Sequence, residues 1–198
     1  MAYDDGPFDY RRVSGSVAPA FRRNRSVKRA FDIVAAGIGL LLFSPILLIV
    51  SIAIKLDSGG PVFSRETLYG YKDRGIRVFK FRSKTACAEA DRTVTRVGQV
   101  LRQTGIEDIP QLLNVLLGEM SIVGPRPYAS RQQLFEYGLM PLLNDFKPGM
   151  TGLAQINDAR EGFGTMKQHI NDDMRYVETW SLLLDIKIIL MTLFLRKL

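Results

Sequence analysis

The run IVAAGIGLLLFSPILLIVSIAI, from Ile33 to Ile54, contains no charged residue and decides how the rest of the chain is organised. At about 1.5 Å of rise per residue, a helix of this length can cross a hydrocarbon core about 30 Å thick. The run is therefore predicted to be a membrane segment. A cleaved signal peptide fits less well, because the run is longer than the apolar region of such a peptide and follows a long polar leader.

Ser44 and Pro45 lie at the midpoint of this run. A proline inside a helix removes an amide donor and clashes with the preceding turn, so a kink or a break is predicted there. Basic residues flank both ends of the run, so the positive-inside rule does not select an orientation: Arg25, Lys28, Arg29 and Lys55. These residues leave two geometries open, a kinked helix that crosses the bilayer and a re-entrant helix-hairpin that turns at Ser44 and Pro45.

The segment before the run is polar and ends in a cluster of cations. Residues 1–24 are rich in Gly, Ser, Pro, Arg and Asp and lack a helical or strand period, so they are predicted to form a disordered basic tail. Attraction to anionic lipid contributes roughly 1 kcal/mol of binding free energy per cation in such a cluster. The alternative interpretation is that the cluster is only a solvated run of charges. We therefore divide the chain into a tail (1–24), a membrane anchor (25–56) and one further domain (57–198).

The domain after the anchor is predicted to be α+β and mainly helical. Short extended segments are predicted at 62–65 and 77–81, and helices at 97–102, at 110–117, after Pro127 through Leu134, Phe135 and Leu139, and at 180–198. The last of these is apolar apart from four charged residues. It is predicted to lie along the membrane interface, with a buried core helix as the alternative.

The charge balance favours anionic partners. Lys and Arg number 27 against 20 acidic residues, which gives a net charge of +7 and is compatible with nucleic acid, anionic lipid or a phosphorylated substrate. No nucleic-acid motif is recognised. The single Cys87 and single His169 rule out a disulfide framework and zinc clusters and disfavour a Ser-His-Asp triad, so both are interpreted as structural. Catalysis would then depend on carboxylates, cationic side chains and a hard metal ion.

The segment 101–127 has the densest set of polar residues among apolar ones. Glu107 and Asp108 stand together at the start of a predicted helix. If both are partly buried, a cation must relieve their repulsion, and the candidates are Mg²⁺, Arg102 and Arg126. Mg²⁺ usually binds one or two carboxylates together with substrate phosphates. An acidic first turn that complements the helix dipole is the alternative.

Nearly everything after the tail resembles the monotopic phosphoglycosyl transferases, the bacterial sugar transferase family. The matching motifs are KRAFD (28–32), SP (44–45), GPVF (60–63), FKFRS (79–83), TRVG (95–98), the block 107–127, KPGMTGLAQ (147–155), WSL (180–182) and LDIK (184–187). The resemblance implies a re-entrant anchor and a small catalytic domain at the cytoplasmic face of a bacterial inner membrane. It also implies transfer of a hexose 1-phosphate from a UDP-sugar to undecaprenyl phosphate.

The resemblance further implies covalent catalysis assisted by Mg²⁺. In the family an acidic side chain attacks the β-phosphate of the UDP-sugar and UMP leaves, after which polyprenyl phosphate displaces the carboxylate. Glu107 and Asp108 match the family's catalytic dyad, but the usual order of Asp then Glu is reversed. Glu107 occupies the nucleophile position and Asp108 that of the metal ligand, while Asp108 as nucleophile stays open.

The remaining site residues are carried over by position. Contacts to the donor are expected from Arg102, from the nucleotide-side loop Pro125, Arg126 and Pro127, and from Lys80, Arg82 and Arg160. Glucose or galactose is the favoured sugar, anionic lipid is an expected partner, nucleic acid is not, and a homodimer is compatible with the resemblance. A catalytically inactive membrane scaffold for polysaccharide assembly is the alternative function.

Overall fold

A computed structural model describes residues 21, 23–70, 74–85, 93–130, 145–162 and 164–195. Most of the predicted tail, Cys87, and the helix predicted through Leu134, Phe135 and Leu139 lie outside these residues. Within the described part the fold is mainly helical with two small sheets, as predicted.

Helix α1, Arg25–Asp57, contains the whole apolar run in 33 residues. It is the one helix among the described residues that is long and apolar enough to cross a membrane. Pro45 lies inside it, and both Ser44 and Pro45 remain helical. The Ser44 hydroxyl donates to the Leu41 carbonyl over 2.8 Å. The sequence motif therefore does not interrupt the helix with a loop.

Both ends of α1 pack against the same domain. Near the N-terminal end, the Asp32 carboxylate accepts hydrogen bonds from the Ser121 hydroxyl at 2.8 Å and the Ile122 amide at 3.2 Å. The C-terminal part contributes to a second apolar cluster, formed by Val50, Ile54, Phe81 and Leu101. Between these contacts, more than half of the surface of several apolar side chains is exposed: Ile38, Leu41, Leu42, Leu48 and Ile49.

A β-hairpin and two short helical segments follow α1. Strand β1, Phe63–Tyr69, pairs antiparallel with β2, Gly75–Phe81. Helix α2, Arg96–Thr104, begins at Thr95, whose hydroxyl accepts from the Gly98 amide, and ends at Gly105 with φ of 67°. A 3₁₀ turn, Ile106–Asp108, then leads into helix α3, Gln111–Leu117. The positive φ at Gly105 lets the chain reverse between α2 and the turn.

The rest of the domain encloses the core. Strand β3, Ser121–Val123, pairs in parallel with β4, Gly149–Thr151. Helices α4, Leu153–Glu161, α5, Met166–Thr179, and α6, Leu182–Leu195, follow. A capping box between Thr165 and Gln168 starts α5. Phe21, inside the predicted tail, stacks on Phe146 and is buried.

Helix α6 has two faces with different surroundings. Asp185 and Ile188 are buried, and the Asp185 carboxylate accepts from the Tyr176 hydroxyl at 2.8 Å. The opposite face exposes apolar side chains, including Leu183 and Phe194. One face thus belongs to the core and the other is apolar and exposed, and its placement at a membrane interface stays a prediction.

Candidate active site

A cavity of about 770 Å³ lies between the β-hairpin and the end of α2. Its wall combines basic, acidic and hydroxyl side chains from both strands and the 3₁₀ turn, including Ser64, Arg65, Glu66, Thr67, Lys80, Arg82, Lys84, Arg102 and Glu107. Four of the predicted site residues therefore line one space, namely Lys80, Arg82, Arg102 and Glu107. The excess of cations along the wall suits a phosphorylated ligand.

Glu107 lies on the wall of this cavity. Its side chain is 18% exposed, and its carboxylate is 3.8 Å from Nε of Arg102, which stands in the last turn of α2. At 3.8 Å the two groups attract each other without a tight hydrogen bond. The carboxylate is thus held near a cation while part of it remains accessible from the cavity.

Asp108 has different partners from Glu107. Its Oδ1 accepts a hydrogen bond from the Gln111 side-chain amide at 2.5 Å and lies 3.5 Å from the Lys80 ammonium. A 3₁₀ helix turns by about 120° per residue, so adjacent side chains leave it in different directions. This geometry explains why the two neighbouring carboxylates have separate environments.

Lys80 connects the strands to the dyad. Its ammonium lies 3.3 Å from Glu66 Oε2 on β1 and 3.5 Å from Asp108 Oδ1. Burial by itself lowers the pKa of Lys80, but the carboxylates of Asp108, Glu66 and Glu107 outweigh burial, so the pKa is raised. Lys80 therefore carries its charge throughout the neutral range and reduces the repulsion among these carboxylates.

Arg82 lines the same cavity, and both terminal nitrogens of its guanidinium are engaged, whereas its buried Nε has no hydrogen-bond partner among the described residues. The guanidinium donates to the Gly59 carbonyl at 2.6 Å and to the Ser58 carbonyl at 2.7 Å, just after the end of α1. The residue is buried. In this arrangement Arg82 joins the C-terminal end of α1 to the wall of the cavity.

Arg126 belongs to a second polar cluster. Its Nη2 donates to Asp158 Oδ2 at 2.9 Å, its Nη1 lies 2.9 Å from His169 Nδ1, and His169 Nε2 lies 2.7 Å from Asp158 Oδ1. Because arginine cannot accept a hydrogen bond, Nδ1 of His169 must accept here and Nε2 must carry the proton to Asp158. His169 thus helps to hold Arg126, a predicted site residue, in place.

The Arg126 backbone is fixed by a buried acid. Its amide donates to Asp173 Oδ2 at 3.1 Å. Burial raises the pKa of Asp173 to about 7, against the effect of this amide and of the Arg126 charge. In Asp158, by contrast, burial is outweighed by the Gly164 amide, His169 and Arg126, and the pKa is lowered. The loop thus rests on one ionised carboxylate and on one that titrates near neutrality.

Pro125 and Pro127 flank Arg126 on a loop that crosses β4 closely. The Gly149 amide donates to the Pro125 carbonyl at 2.9 Å. A Cβ on Gly124 would lie 2.5 Å from the Lys147 carbonyl oxygen, so no larger residue fits at this crossing. None of the loop residues lines the 770 Å³ cavity, and neither does Arg160, which is exposed near the end of α4.

Magnesium binding was predicted at Asp108. No group of three or more Asp, Glu, His or Cys side chains suited to a metal ion is found among the described residues. The protein can still offer carboxylate oxygens from Glu107 and Asp108, whose side chains are 18% and 29% exposed. This donor set fits Mg²⁺, which accepts one or two carboxylates when substrate phosphates and water complete its coordination.

Several residues of these clusters were not singled out by the sequence, among them Asp173, which binds the Arg126 amide. Glu66 pairs with Lys80 across the hairpin, Gln111 donates to Asp108, and Asp158 pairs with Arg126. Glu66 directly follows the extended segment predicted at 62–65, and pairing this segment antiparallel with 77–81 would have brought it near Lys80, since diagonal positions on adjacent strands are within reach. Asp158 had no such signal, because its partners are far away in sequence.

Known proteins resemble the chain over nearly its whole length. The sequence profile described as bacterial sugar transferase matches residues 23–196. The UDP-glucose:undecaprenyl-phosphate glucose-1-phosphate transferase of Escherichia coli strain K12 is 45% identical over 188 residues, which are 86% of the chain and 40% of that relative. The chain thus spans about two fifths of that relative's length.

Two further relatives are covered more completely. A protein of the same name from Caulobacter vibrioides is 41% identical over 181 residues, which are 83% of the chain and 67% of that relative. The exopolysaccharide production protein PSS of Rhizobium leguminosarum is 39% identical over 183 residues, 82% of the chain and 91% of the relative.

Proposed function

This chain belongs to the bacterial sugar transferase family, and from that premise we propose that it transfers a hexose 1-phosphate from a UDP-sugar to undecaprenyl phosphate. The observation that carries the proposal is the position of Glu107 on the wall of a cation-rich cavity, beside Arg102 and close to Lys80. The product, a sugar on undecaprenyl diphosphate, would start the assembly of a polysaccharide or glycoconjugate.

The proposed reaction has two displacements at one phosphorus atom. In the first, a Glu107 carboxylate oxygen forms a bond to the β-phosphorus of the donor, and the bond from that phosphorus to the bridging oxygen breaks, so that UMP leaves. In the second, a phosphate oxygen of undecaprenyl phosphate attacks the same phosphorus and expels the carboxylate. A covalent intermediate splits one difficult transfer into two easier ones.

The geometry favours Glu107 over Asp108 as the nucleophile. Glu107 faces the cavity and is held loosely by Arg102 at 3.8 Å. Asp108 accepts a short hydrogen bond from Gln111 and is paired with Lys80. A carboxylate with two close partners is a weaker nucleophile, because those partners stabilise its charge before the reaction.

Two other groups of this cavity would neutralise phosphate charge. Lys80 and Arg102 lie on the wall and are suited to the non-bridging oxygens of the diphosphate. We further propose that Asp108 would give a carboxylate oxygen to Mg²⁺, which would neutralise negative charge on the donor diphosphate and on the departing UMP phosphate. Arg82 would act by positioning the cavity wall on the end of α1.

The nucleotide-side loop is proposed to hold the uridine end of the donor. Arg126 keeps 30% of its side chain exposed while Asp158 and His169 fix its direction. A preorganised guanidinium loses little conformational freedom when it binds phosphate or uridine oxygens. Arg160, exposed at the end of the following helix, is a proposed additional contact.

We propose that α1 is a re-entrant anchor that bends at Pro45 with both ends on the cytoplasmic side of the inner membrane. Contacts of Asp32 and of Ile54 with one small domain support this placement, since a straight span would separate the two ends by the bilayer thickness. The UDP-sugar is cytoplasmic, whereas the acceptor lies in the membrane. The exposed apolar face of α6 would rest at the same interface.

Glucose is the proposed sugar, because two of the relatives described above are named as glucose-1-phosphate transferases. The test is UMP release by purified protein with undecaprenyl phosphate, measured over a panel of UDP-sugars and repeated with Glu107→Gln. We expect release with UDP-glucose that the substitution abolishes. Release with another UDP-sugar would correct the donor, and no release with any donor would favour the membrane scaffold.

A further inference from the structure

A second cavity, of about 520 Å³, lies beside the N-terminal end of α1. It is separate from the dyad, because the two lie near opposite ends of α3, a helix of seven residues and therefore about 10 Å long. Asp108 precedes the start of α3, whereas Gly118 ends it and lies beside cations that line this second cavity. The proposed transfer reaction does not use this space.

Two cations converge over Gly118. A Cβ placed on that glycine would lie 3.3 Å from Arg29 Nη2 and 3.5 Å from Lys147 Nζ, so both side chains approach one small space. Arg29 is fixed there because it donates to the carbonyls of Val115 at 2.6 Å and Leu116 at 2.9 Å. Arg29 therefore already satisfies carbonyls at the end of α3, and Lys147 adds a second charge.

Among the described residues, Lys147 has no close anionic partner. In the part of the chain that the structure describes, its ammonium makes no hydrogen bond or ion pair. Burial and the nearby Arg29 charge lower the pKa of Lys147, and Asp32 opposes them only in part. Two like charges held together in a partly buried place are unfavourable unless an anion joins them.

The carboxylates of this cavity are committed to other groups. Asp32 accepts from the Lys28 ammonium at 2.9 Å and from the Ser121 hydroxyl at 2.8 Å. Asp145 forms an ion pair with Arg25. Among the described residues, no carboxylate of this cavity pairs directly with Lys147, so its charge beside Arg29 is available to an external anion.

The remaining wall of the cavity is apolar and continues onto the membrane helix. Ile33 and Phe146 line it, and Ile33 is also 44% exposed on the outer side of α1. Val34 and Ile38, farther along the helix, expose 60% and 61% of their surfaces. An amphiphile could therefore place its polar end between the cations and its hydrocarbon chain along α1.

We propose that this cavity binds the phosphate headgroup of an anionic membrane phospholipid between Arg29 and Lys147. Free phosphate would share the headgroup chemistry but would leave the apolar wall uncovered. The acceptor lipid has a similar phosphate, but its phosphate must reach Glu107 at the other end of α3. The bound phospholipid would fix the N-terminal end of α1 and the start of α6, which meet through the ion pair of Lys28 with Asp185 at 2.9 Å.

The test is lipid binding to the full chain purified in an uncharged detergent, followed by native mass spectrometry during titration with phosphatidylglycerol. Lys147→Gln removes the charge without removing a close partner, and Lys147→Arg restores it. Lys187→Gln, at an exposed position of α6, is the matched control for loss of one positive charge. We expect Lys147→Gln to weaken binding about fivefold to tenfold, Lys147→Arg to recover most of it, and Lys187→Gln to leave it unchanged.

Parallel titrations with inorganic phosphate and with undecaprenyl phosphate distinguish the sources of the phosphate group. Inorganic phosphate should bind far more weakly, and undecaprenyl phosphate should lose little affinity on Lys147→Gln. Equal binding of inorganic phosphate would assign a free-ion site, and a Lys147-dependent preference for undecaprenyl phosphate would assign an acceptor site; each overturns the proposal. Equal losses of phosphatidylglycerol affinity in the Gln variants of Lys147 and Lys187 would show that only the overall surface charge matters, and would also overturn the proposal. No donor or turnover is involved, so failure here leaves the proposed transferase activity standing.

Discussion

The Lys80 ammonium lies 3.5 Å from Asp108 Oδ1, across the gap between strand β2 and the 3₁₀ turn. The β-hairpin therefore contacts the Glu107 and Asp108 pair through the Lys80 ammonium. Glu66 shares that cation at 3.3 Å, so its charge is divided between two carboxylates. The positive charge of Lys80 thus offsets part of the repulsion among the carboxylates around it.

Lys80→Gln should lower the rate of UMP release by roughly tenfold to a hundredfold, because the phosphate and Asp108 both lose a cation. Lys80→Arg should recover part of the rate. The pKa of Lys80 is raised, so its charge is present at all pH values below its ordinary pKa and is lost only as pH rises through the higher folded value. The deficit should therefore be the same at about pH 6 and about pH 8. Arg74→Gln, at an exposed position just before β2, is the control. An equal loss of rate in that variant would show that Lys80 has no specific role in UMP release.

Arg126→Ala should weaken the donor half-reaction, because a fixed guanidinium contributes paired charge-assisted hydrogen bonds. We expect roughly a tenfold to hundredfold loss in kcat/KM for the donor, with partial recovery in Arg126→Lys. Ala also removes the bonds to Asp158 and His169, so the melting temperature must be measured beside the kinetics. A lower melting temperature with unchanged donor kinetics would make Arg126 a structural residue only.

Asp173 should make the stability of the fold depend on pH near neutrality. Burial raises its pKa to about 7, above the ordinary value of 3.8. A raised folded pKa stabilises the fold fully below the unfolded pKa, and this contribution is lost as pH rises through about 7. Thermal unfolding in detergent should show Asp173→Asn losing this dependence, on the order of 2 kcal/mol between about pH 5 and 7. Parallel pH profiles for the two proteins would contradict the assignment.

Cysteines placed before Lys28 and after Lys55 should be labelled from the same side of sealed inverted vesicles. Cys87 must first be replaced so that only the introduced thiols react. The expectation follows from the contacts that both ends of α1 make with one domain. Pro45→Leu should shift the helix toward a straight span, because it removes the residue that we propose as the cause of a bend. Labelling of the two sites from opposite sides would rule out the re-entrant anchor.

The parts of the fold with strong local signals could be predicted. The uncharged run predicted α1, and the apolar spacing before Gly118 predicted α3. Strand β1 extends farther than predicted, to Tyr69, because its side chains are mostly exposed and show no alternation, so its length is set by pairing with β2. Helices α4 and α5 are polar and were not predicted, although the capping box at Thr165 was a readable signal.

The candidate site was predictable where neighbours in sequence are neighbours in space. Glu107, Asp108 and Arg102 are brought together by the single turn at Gly105. The partners of Arg126 and Arg82 come from distant segments, so no local pattern indicated that both guanidinium groups are held by the protein itself. Long-range pairing of this kind depends on tertiary packing, which composition and periodicity do not specify.

The central claim is that Glu107 carries the sugar phosphate. The most direct measurement is peptide mass spectrometry of the purified protein, quenched soon after mixing with UDP-glucose and without acceptor. We predict a mass increase of one hexose phosphate on the peptide that contains Glu107, fragmentation that assigns it to Glu107, and its absence in Glu107→Gln, because a neutral amide is a very poor nucleophile. Addition of undecaprenyl phosphate should discharge it. An adduct on Asp108, or UMP release by Glu107→Gln at the unaltered rate, would contradict the assignment.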